Sequence, residues 1–293
     1  MNVVDKLVKL IRETSSSLPP DVLKALKSAL KKERKESSAA VVLKTILGNC
    51  TIAAKRGTPL CQDTGTLTFF VDERLRRKVT PTAIGKAVAI ATEKGYLRKN
   101  TIDAVTGRSY DDNVCEGAPV VHYVVGASDS GSSRGSRNSR KTRPTVTLIL
   151  KGGGSENMSR QYSLPDAALG AGRDLEGVRK CILDAVQKIQ GYGCAPGILG
   201  VCIGGDRATG YEVAKEQLLR PLDESEKTGP TSILALEKKI LKEANGLGIG
   251  PMGLGGKTTL LGVKIAARPR VPASFFVTIA YMCWARRRRS LRV

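Results

Sequence analysis

Short apolar runs of strand length alternate along this chain with segments of helical period, and that alternation restricts it to an α/β architecture. The strand-like runs are Leu67–Val71, Val120–Val125, Thr145–Lys151, Ile198–Ile203, Leu260–Ala266 and Phe275–Tyr281. Among and between them, Pro81–Lys94, Asp174–Gln190, Ala208–Leu219 and Ser232–Ala244 carry the pattern of helices. Pro81 suits a first helical turn and Gly95 a stop. The first sixty residues read as helices: Met1–Leu18, a second from Pro19-Pro20-Asp21 with Val22, Leu23, Leu26 and Leu30 on one face, and Ala39–Lys55. The expectation is one domain over residues 1–293, with mixed β-sheets flanked by α-helices. A Ser/Gly/Arg insert near 127–143 separates two of the strand-like runs and is expected to be the tip of a long hairpin.

Apolar residues make up 41% of the chain and aromatics only 4%, so Leu, Ile, Val and Ala must fill the core. No run approaches the roughly 18 to 20 apolar residues that cross a bilayer. Met1–Leu18 mixes charges with its apolar face and lacks the apolar run of a signal peptide, so a cytoplasmic protein is expected. Net charge is +21. Part of it lies in the insert (Arg134, Arg137, Arg140, Lys141, Arg143) and part in a tail, Arg286–Arg289 with Arg292. Such runs are either solvated loop and tail or a footprint for an acidic partner such as nucleic acid. No aromatic side chain interleaves the arginines of the insert, so the stacking platform of a single-strand binder is missing.

Chemistry concentrates in Pro59-Leu60-Cys61-Gln62-Asp63-Thr64-Gly65-Thr66. A glycine here lets the backbone turn sharply, so that neighbouring side chains can converge. Cys61 is a soft ligand, Gln62 a neutral hydrogen-bonding arm and Asp63 a possible proton carrier, unless the stretch is only a polar loop. Gly152–Ser159 follows a strand, and its three glycines allow close approach of backbone to an anion, or a flexible turn. Gly248–Thr259 mimics two nucleotide motifs. Gly248, Gly250 and Gly253 follow a helix rather than a strand, and the first P-loop glycine would fall on Pro251. Both nucleotide readings fail, leaving a general anion-binding role for the amides.

The seven cysteines, at 50, 61, 115, 181, 194, 202 and 283, form an odd set without a CxxC pair, which argues against a disulfide framework. Cys50 and Cys181 fall within helical segments and read as buried. His122, the single histidine, lies in a strand and reads as structural. Cys61, Cys194 and Cys283 stand instead at loops or strand ends beside Gln-Asp-Thr-Gly, Ala-Pro-Gly and Ala-Arg-Arg after an intervening Trp284. Three thiolates leave one iron of a cubane cluster without a protein ligand, a catalytic rather than an electron-transfer arrangement.

Together Pro59–Thr66, Tyr96-Leu97-Arg98, Gly152–Ser159, Cys194–Gly205, Leu236–Thr259 and Cys283–Arg287 resemble, in order, the α-subunit or N-terminal half of the class I iron–sulfur hydro-lyases, fumarase and L-tartrate dehydratase. The resemblance covers almost the whole chain and is densest in GGGSENMS and NGLGIGPMGLGGKTT. It implies a [4Fe–4S] cluster held by Cys61, Cys194 and Cys283, substrate contacts from Gln62, Arg98 and the backbone near Gly154, and Asp63 in proton transfer. It further implies a small dicarboxylate substrate, a separate β-type subunit and hence a hetero-oligomer. The implied reaction is hydration of fumarate to malate; the alternatives are L-tartrate dehydration and a non-catalytic, basic nucleic-acid-binding relative. Departures from the family pattern are Val271-Pro272-Ala273 in place of a histidine-bearing segment, an altered Ser109–Asn113, an apparent insertion Val114–Gly117, and the basic insert.

Overall fold

A computed structural model describes residues 2–125, 143–223 and 230–293. The chain forms two compact units, one of Met1–Pro20, Leu47–Gly153 and Ala285–Val293, the other of Asp21–Ile46 and Gly154–Trp284.

The first unit is built on a four-stranded mixed sheet. Its strands are β1 (Thr66–Asp72), β4 (Val120–Val124), β5 (Thr145–Lys151) and β10 (Arg287–Arg292), in the order β10-β5-β1-β4. A two-residue ribbon, β2 (Thr101–Ile102) with β3 (Ser109–Tyr110), lies outside it. Leu67, Phe69 and Val71 of β1 and Val146, Leu148 and Leu150 of β5 alternate onto one face, as a half-buried pleat requires. That face packs on α1 (Val3–Ser16) and α4 (Pro81–Glu93), which supply Leu7, Leu10, Ile11, Ile84 and Val88. Asn2 caps α1 and Thr80 caps α4; Pro81 stands in the first turn of α4, as the sequence predicts. Phe70 and His122, register partners across β1 and β4, stack at 5.2 Å between ring centroids. The histidine is thus part of the sheet's packing.

Two expectations fail in this unit. The strands flanking the insert do not form a hairpin, because β1 lies between them, parallel to β4 and antiparallel to β5. The insert itself falls outside the described residues apart from Arg143. Nor is the arginine run a solvated tail. It pairs antiparallel with β5 from Arg287↔Leu150 to Arg292↔Thr145, and Arg286 and Arg287 are 0% and 1% exposed. The backbone ladder seats the strand, and the guanidinium groups of Arg287 and Arg289 each donate to an oxygen acceptor. Arg289, for example, donates to Ser17 Oγ at 2.9 Å and pairs with Glu13.

The second unit has its own four-stranded sheet, ordered β6-β9-β7-β8. The strands are β6 (Arg160–Ser163), β7 (Gly197–Gly204), β8 (Leu260–Arg268) and β9 (Phe276–Met282), with β7 parallel to β8 and antiparallel to β9. Every residue of β7 is buried, as expected of a strand covered on both faces. Leu199, Val201 and Ile203 point towards α6 (Leu175–Ile189) and α8 (Thr231–Gly246). On the opposite face α7 (Arg207–Gln217) comes so close to Gly200 that a Cβ there would lie 2.0 Å from the Ala214 carbonyl oxygen. Arg220 and Glu237, with side chains 5% and 9% exposed, pair at 3.1 Å inside this unit. Helices α2 (Pro20–Lys32) and α3 (Ser38–Arg56) complete the helical first sixty residues.

Candidate active site

In the first unit the Pro59–Thr66 stretch is pinned at several points. The Leu60 amide donates to the Ser15 carbonyl at 2.8 Å, and Asn49 Nδ2 donates to the Leu60 carbonyl at 3.0 Å. Leu60 is buried, and beyond it Gln62 is exposed and Cys61 and Asp63 half-buried. Thr64 is buried and turns its hydroxyl to the chain at Arg98, accepting from the Arg98 amide at 2.9 Å and donating to the Arg98 carbonyl at 3.2 Å. The motif and Arg98 are therefore joined through one side chain, and the Arg98 side chain is left exposed.

Gly65 has φ +75°, and a Cβ on it would lie 2.3 Å from the Lys151 carbonyl oxygen. Only glycine fits. A Cβ on Gly152 would stand 2.7 Å from Asp63 Oδ2, so the carboxylate occupies the space that the glycine leaves open. From the other side Arg287 Nη2 donates to the Asp63 carbonyl at 2.7 Å. Gly153–Glu156 is a single helical turn, α5, with Gly154 exposed, where the sequence allowed either an anion-binding or a flexible loop.

Two further residues, beyond those the sequence singles out, position this site. Asn113, fully buried at φ +61°, accepts from the amides of Asn100 and Thr101 and donates to the Arg98 carbonyl at 2.9 Å. Its signal was the Asp-Asp-Asn cluster, since Asn tolerates a left-handed backbone and carries both a donor and acceptors. Arg287 gave no local signal, because its acceptor lies 224 positions away.

Cys194 and Cys283 belong to the second unit. After α6 the chain turns through Gly191-Tyr192-Gly193, and Cys194 sits exposed at φ +54°. Strand β9 ends just before Cys283, and the Trp284 amide donates to the Cys194 carbonyl at 3.4 Å, so the two cysteines come from adjacent backbones. The Tyr281 ring fills the space between Gly193 and Gly197. Burial first, then the Cys283 and Cys194 sulfurs, hold its phenol protonated well beyond the usual range.

The glycine loop after α8 serves this turn. The Met252 amide donates to the Ala195 carbonyl at 2.9 Å, and a Cβ on Gly191 would strike the Met252 carbonyl oxygen at 2.6 Å. At the P-loop-like end of the loop, the Lys257 amide already donates to Glu33 Oε1 at 2.8 Å, a carboxylate where a nucleotide would need its phosphate. Where the family pattern leads one to expect a histidine, Val271 is 64% exposed. Arg173 donates to the Pro272 and Ala273 carbonyls, and Arg270 to those of Val271, Pro272 and Ser274. The loop is held by arginines and offers no ring nitrogen.

Thiol environment separates the cysteines. Burial pushes the Cys50, Cys181 and Cys202 thiols up to about 11, about 12 and about 11, which disfavours the thiolate that metals and electrophiles need. Cys194 is exposed, and Cys61, Cys115 and Cys283 are half-buried. Brief alkylation of the folded, iron-free chain should therefore label Cys194 first and spare Cys50, Cys181 and Cys202 until denaturant is added. Peptide mass spectrometry reads this directly, and equal labelling of all seven would contradict it. Among the described residues, neither unit by itself places three His, Cys, Asp or Glu side chains where they could hold a metal ion, Cys61 lying in one unit and Cys194 and Cys283 in the other.

The sequence model of fumarate hydratase (Fumerase) matches residues 4–292. The chain belongs to that family. A Geobacillus stearothermophilus protein named "Putative fumarate hydratase class I" is 46% identical over 99% of this chain and 54% of its own length. The chain thus spans about half of that fumarate hydratase relative. A Methanocaldococcus jannaschii protein, "Putative L(+)-tartrate dehydratase subunit alpha", is 34% identical over 100% of this chain and 98% of itself. The Escherichia coli "L(+)-tartrate dehydratase subunit alpha" is 27% identical over 99% of this chain and 91% of itself. Among the described residues of this fumarate hydratase family member, no helix is long and apolar enough to cross a membrane.

Proposed function

We propose that this chain is the cluster-bearing α-type component of a hydro-lyase that adds water reversibly to fumarate. The observation that carries this reading is the 46% identity, over 99% of the chain, to a protein named as a class I fumarate hydratase. Cys61, Cys194 and Cys283 are the proposed ligands of a [4Fe–4S] cluster. Their donor chemistry fits: soft thiols at half-buried or exposed positions, in contrast to the buried Cys50, Cys181 and Cys202. When bound, a cluster with three cysteine ligands supplies a Lewis-acidic iron for a substrate carboxylate or hydroxyl.

The chain's own side chains do the remaining work. Arg98, exposed next to the Thr64 anchor, neutralises a substrate carboxylate, and Gln62 orients the substrate by a neutral hydrogen bond. The exposed backbone at Gly154 lines the same substrate. Asp63 relays the proton to or from the carbon next to the one that carries the hydroxyl. Its position against Gly152, with its own carbonyl held by Arg287, limits the carboxylate's motion, as proton transfer between fixed partners requires.

A separate β-type subunit supplies the rest of the machinery in this reading, by analogy with the relatives named as α subunits. The α–β pair forms a hetero-oligomer, and seven thiols suit a reducing, cytoplasmic setting. A second reading, dehydration of L-tartrate, is favoured by one observation: the match to an α subunit over 98% of that protein's length.

Anaerobic reconstitution followed by iron and sulfide counts tests the ligand set. Cys61→Ser, Cys194→Ser and Cys283→Ser should each lose iron, while Cys50→Ser and Cys181→Ser should keep it. The opposite pattern would overturn the assignment. Malate formation from fumarate, and oxaloacetate formation from tartrate, are then compared with the β component present. Salt-sensitive nucleic-acid binding by a chain that takes up no iron would replace both readings with a binding module.

A further inference from the structure

The Tyr281 hydroxyl has no assigned role. Tyr281 lies in β9 opposite Leu199 of β7, is 2% exposed, and is two residues from Cys283. Its ring is clamped on both sides of the Cys194-Ala195-Pro196 arch. A Cβ on Gly193 would lie 2.3 Å from the ring edge, and one on Gly197 would lie 2.4 Å from the hydroxyl oxygen. Two glycines flank Cys194 at close approach because this aromatic ring takes up their side-chain space. The ring is thus buried against the turn that presents the thiol.

Its hydroxyl finds no hydrogen-bond partner among the described residues. A buried phenol is ordinarily hydrogen-bonded, and leaving its donor unmet costs stability. Tyr281 lies near the end of β9, two residues before Cys283, and its ring lies against the arch that carries Cys194. A phenol O–H buried without a partner, on a ring packed against the arch that carries Cys194 and two residues from Cys283, suits an anionic sulfur acceptor. Phenylalanine would fill the clamp as well as tyrosine does, so packing alone does not call for the oxygen.

On the footing of the cluster reading above, we propose that Tyr281 is a positioning and tuning residue whose hydroxyl donates a hydrogen bond to an anionic sulfur of the bound cluster. The acceptor is a cysteinyl or a bridging sulfur; both carry the negative charge that the donor needs. Donation to cluster sulfur stabilises the more negative, reduced state and raises the reduction potential. It also draws electron density from the iron, which strengthens its Lewis acidity towards the substrate.

The test uses the full chain, reconstituted anaerobically, in three forms: wild type, Tyr281→Phe, and the chain with 3-fluorotyrosine placed at 281. Iron and sulfide content, the midpoint potential of the cluster and the resonance Raman iron–sulfur bands are measured on each. The Phe form should keep its iron and sulfide while its potential moves to a more negative value and its iron–sulfur bands shift. The fluorinated phenol is a stronger acid and a better donor, so its potential should move the opposite way. It also keeps the assignment testable should the Phe form fail to fold. Loaded forms with the same potential and the same bands would overturn the hydrogen bond while leaving the cluster reading intact. A wild-type chain that assembles no cluster would overturn both.

Discussion

Asp63→Asn should lower fumarate hydration by the loaded, β-complemented enzyme by about 10²- to 10⁴-fold, the usual range for a lost general acid–base. The amide has nearly the shape of the carboxylate, so the fit against Gly152 survives. The Arg287 bond also survives, since it goes to the main-chain carbonyl of residue 63 and not to the side chain. Iron content and thermal unfolding should therefore match wild type, and the loss should appear in kcat with KM little changed. The control is Gly152→Ala, which keeps the carboxyl chemistry but puts a Cβ 2.7 Å from where Asp63 Oδ2 now sits. It too should lose activity, through displacement rather than chemistry. If the Asn form is loaded and fully active, Asp63 only stabilises its loop and the proton carrier lies elsewhere.

Glu237→Ala should destabilise the protein by about 3–5 kcal/mol, the range for removing one partner of a buried ion pair. Glu237 Oε1 accepts from the Ile265 amide at 2.6 Å and from Arg220 Nη1 at 3.1 Å, joining α8 to β8. Arg220 Nη1 in turn reaches the Gln217 side chain and the Ile265 carbonyl, so the mutation takes a buried carboxylate out of this network. Urea unfolding followed by circular dichroism reads the loss as a lower midpoint with an unchanged slope. Arg220→Met combined with Glu237→Leu should recover most of it, because the pair is then replaced by packed apolar volume. A loss below about 1 kcal/mol for the single change would mean that the pair is solvated like an exposed one.

Much of the fold was legible because it rests on local period. The helices from Val3 to Arg56, Pro81–Glu93 with its proline start, and the fully buried Gly197–Gly204 strand all follow from patterns within a few turns of chain. What was not legible is long-range order. Val120–Val124 and Thr145–Lys151 are sequence neighbours, yet β1 intervenes, and no local pattern encodes a strand inserted from fifty residues upstream. The C-terminal arginines misled for a related reason. A run of like charge reads as solvated, whereas here its ladder with β5 and its acceptors at Asp63 and Ser17 come from distant parts of the chain. The site divides in the same way. Residues 61–63 stand out as a motif, but Thr64, Asn113 and Arg287, which hold that motif and Arg98, act through backbone hydrogen bonds that composition does not reveal.

The contact between Asp63 and Gly152 has a further consequence. Position 63 is wedged between a glycine that admits no side chain and an arginine of the neighbouring sheet edge, so it can scarcely drift. Gln62 and Arg98 face solvent on either side of the same anchor and carry no such constraint. Under the proposed function, a lineage could therefore exchange Gln62 and Arg98 as substrate arms while the proton chemistry proposed for Asp63 stayed fixed. One fold could thus supply relatives named for fumarate and for tartrate without rebuilding its interior.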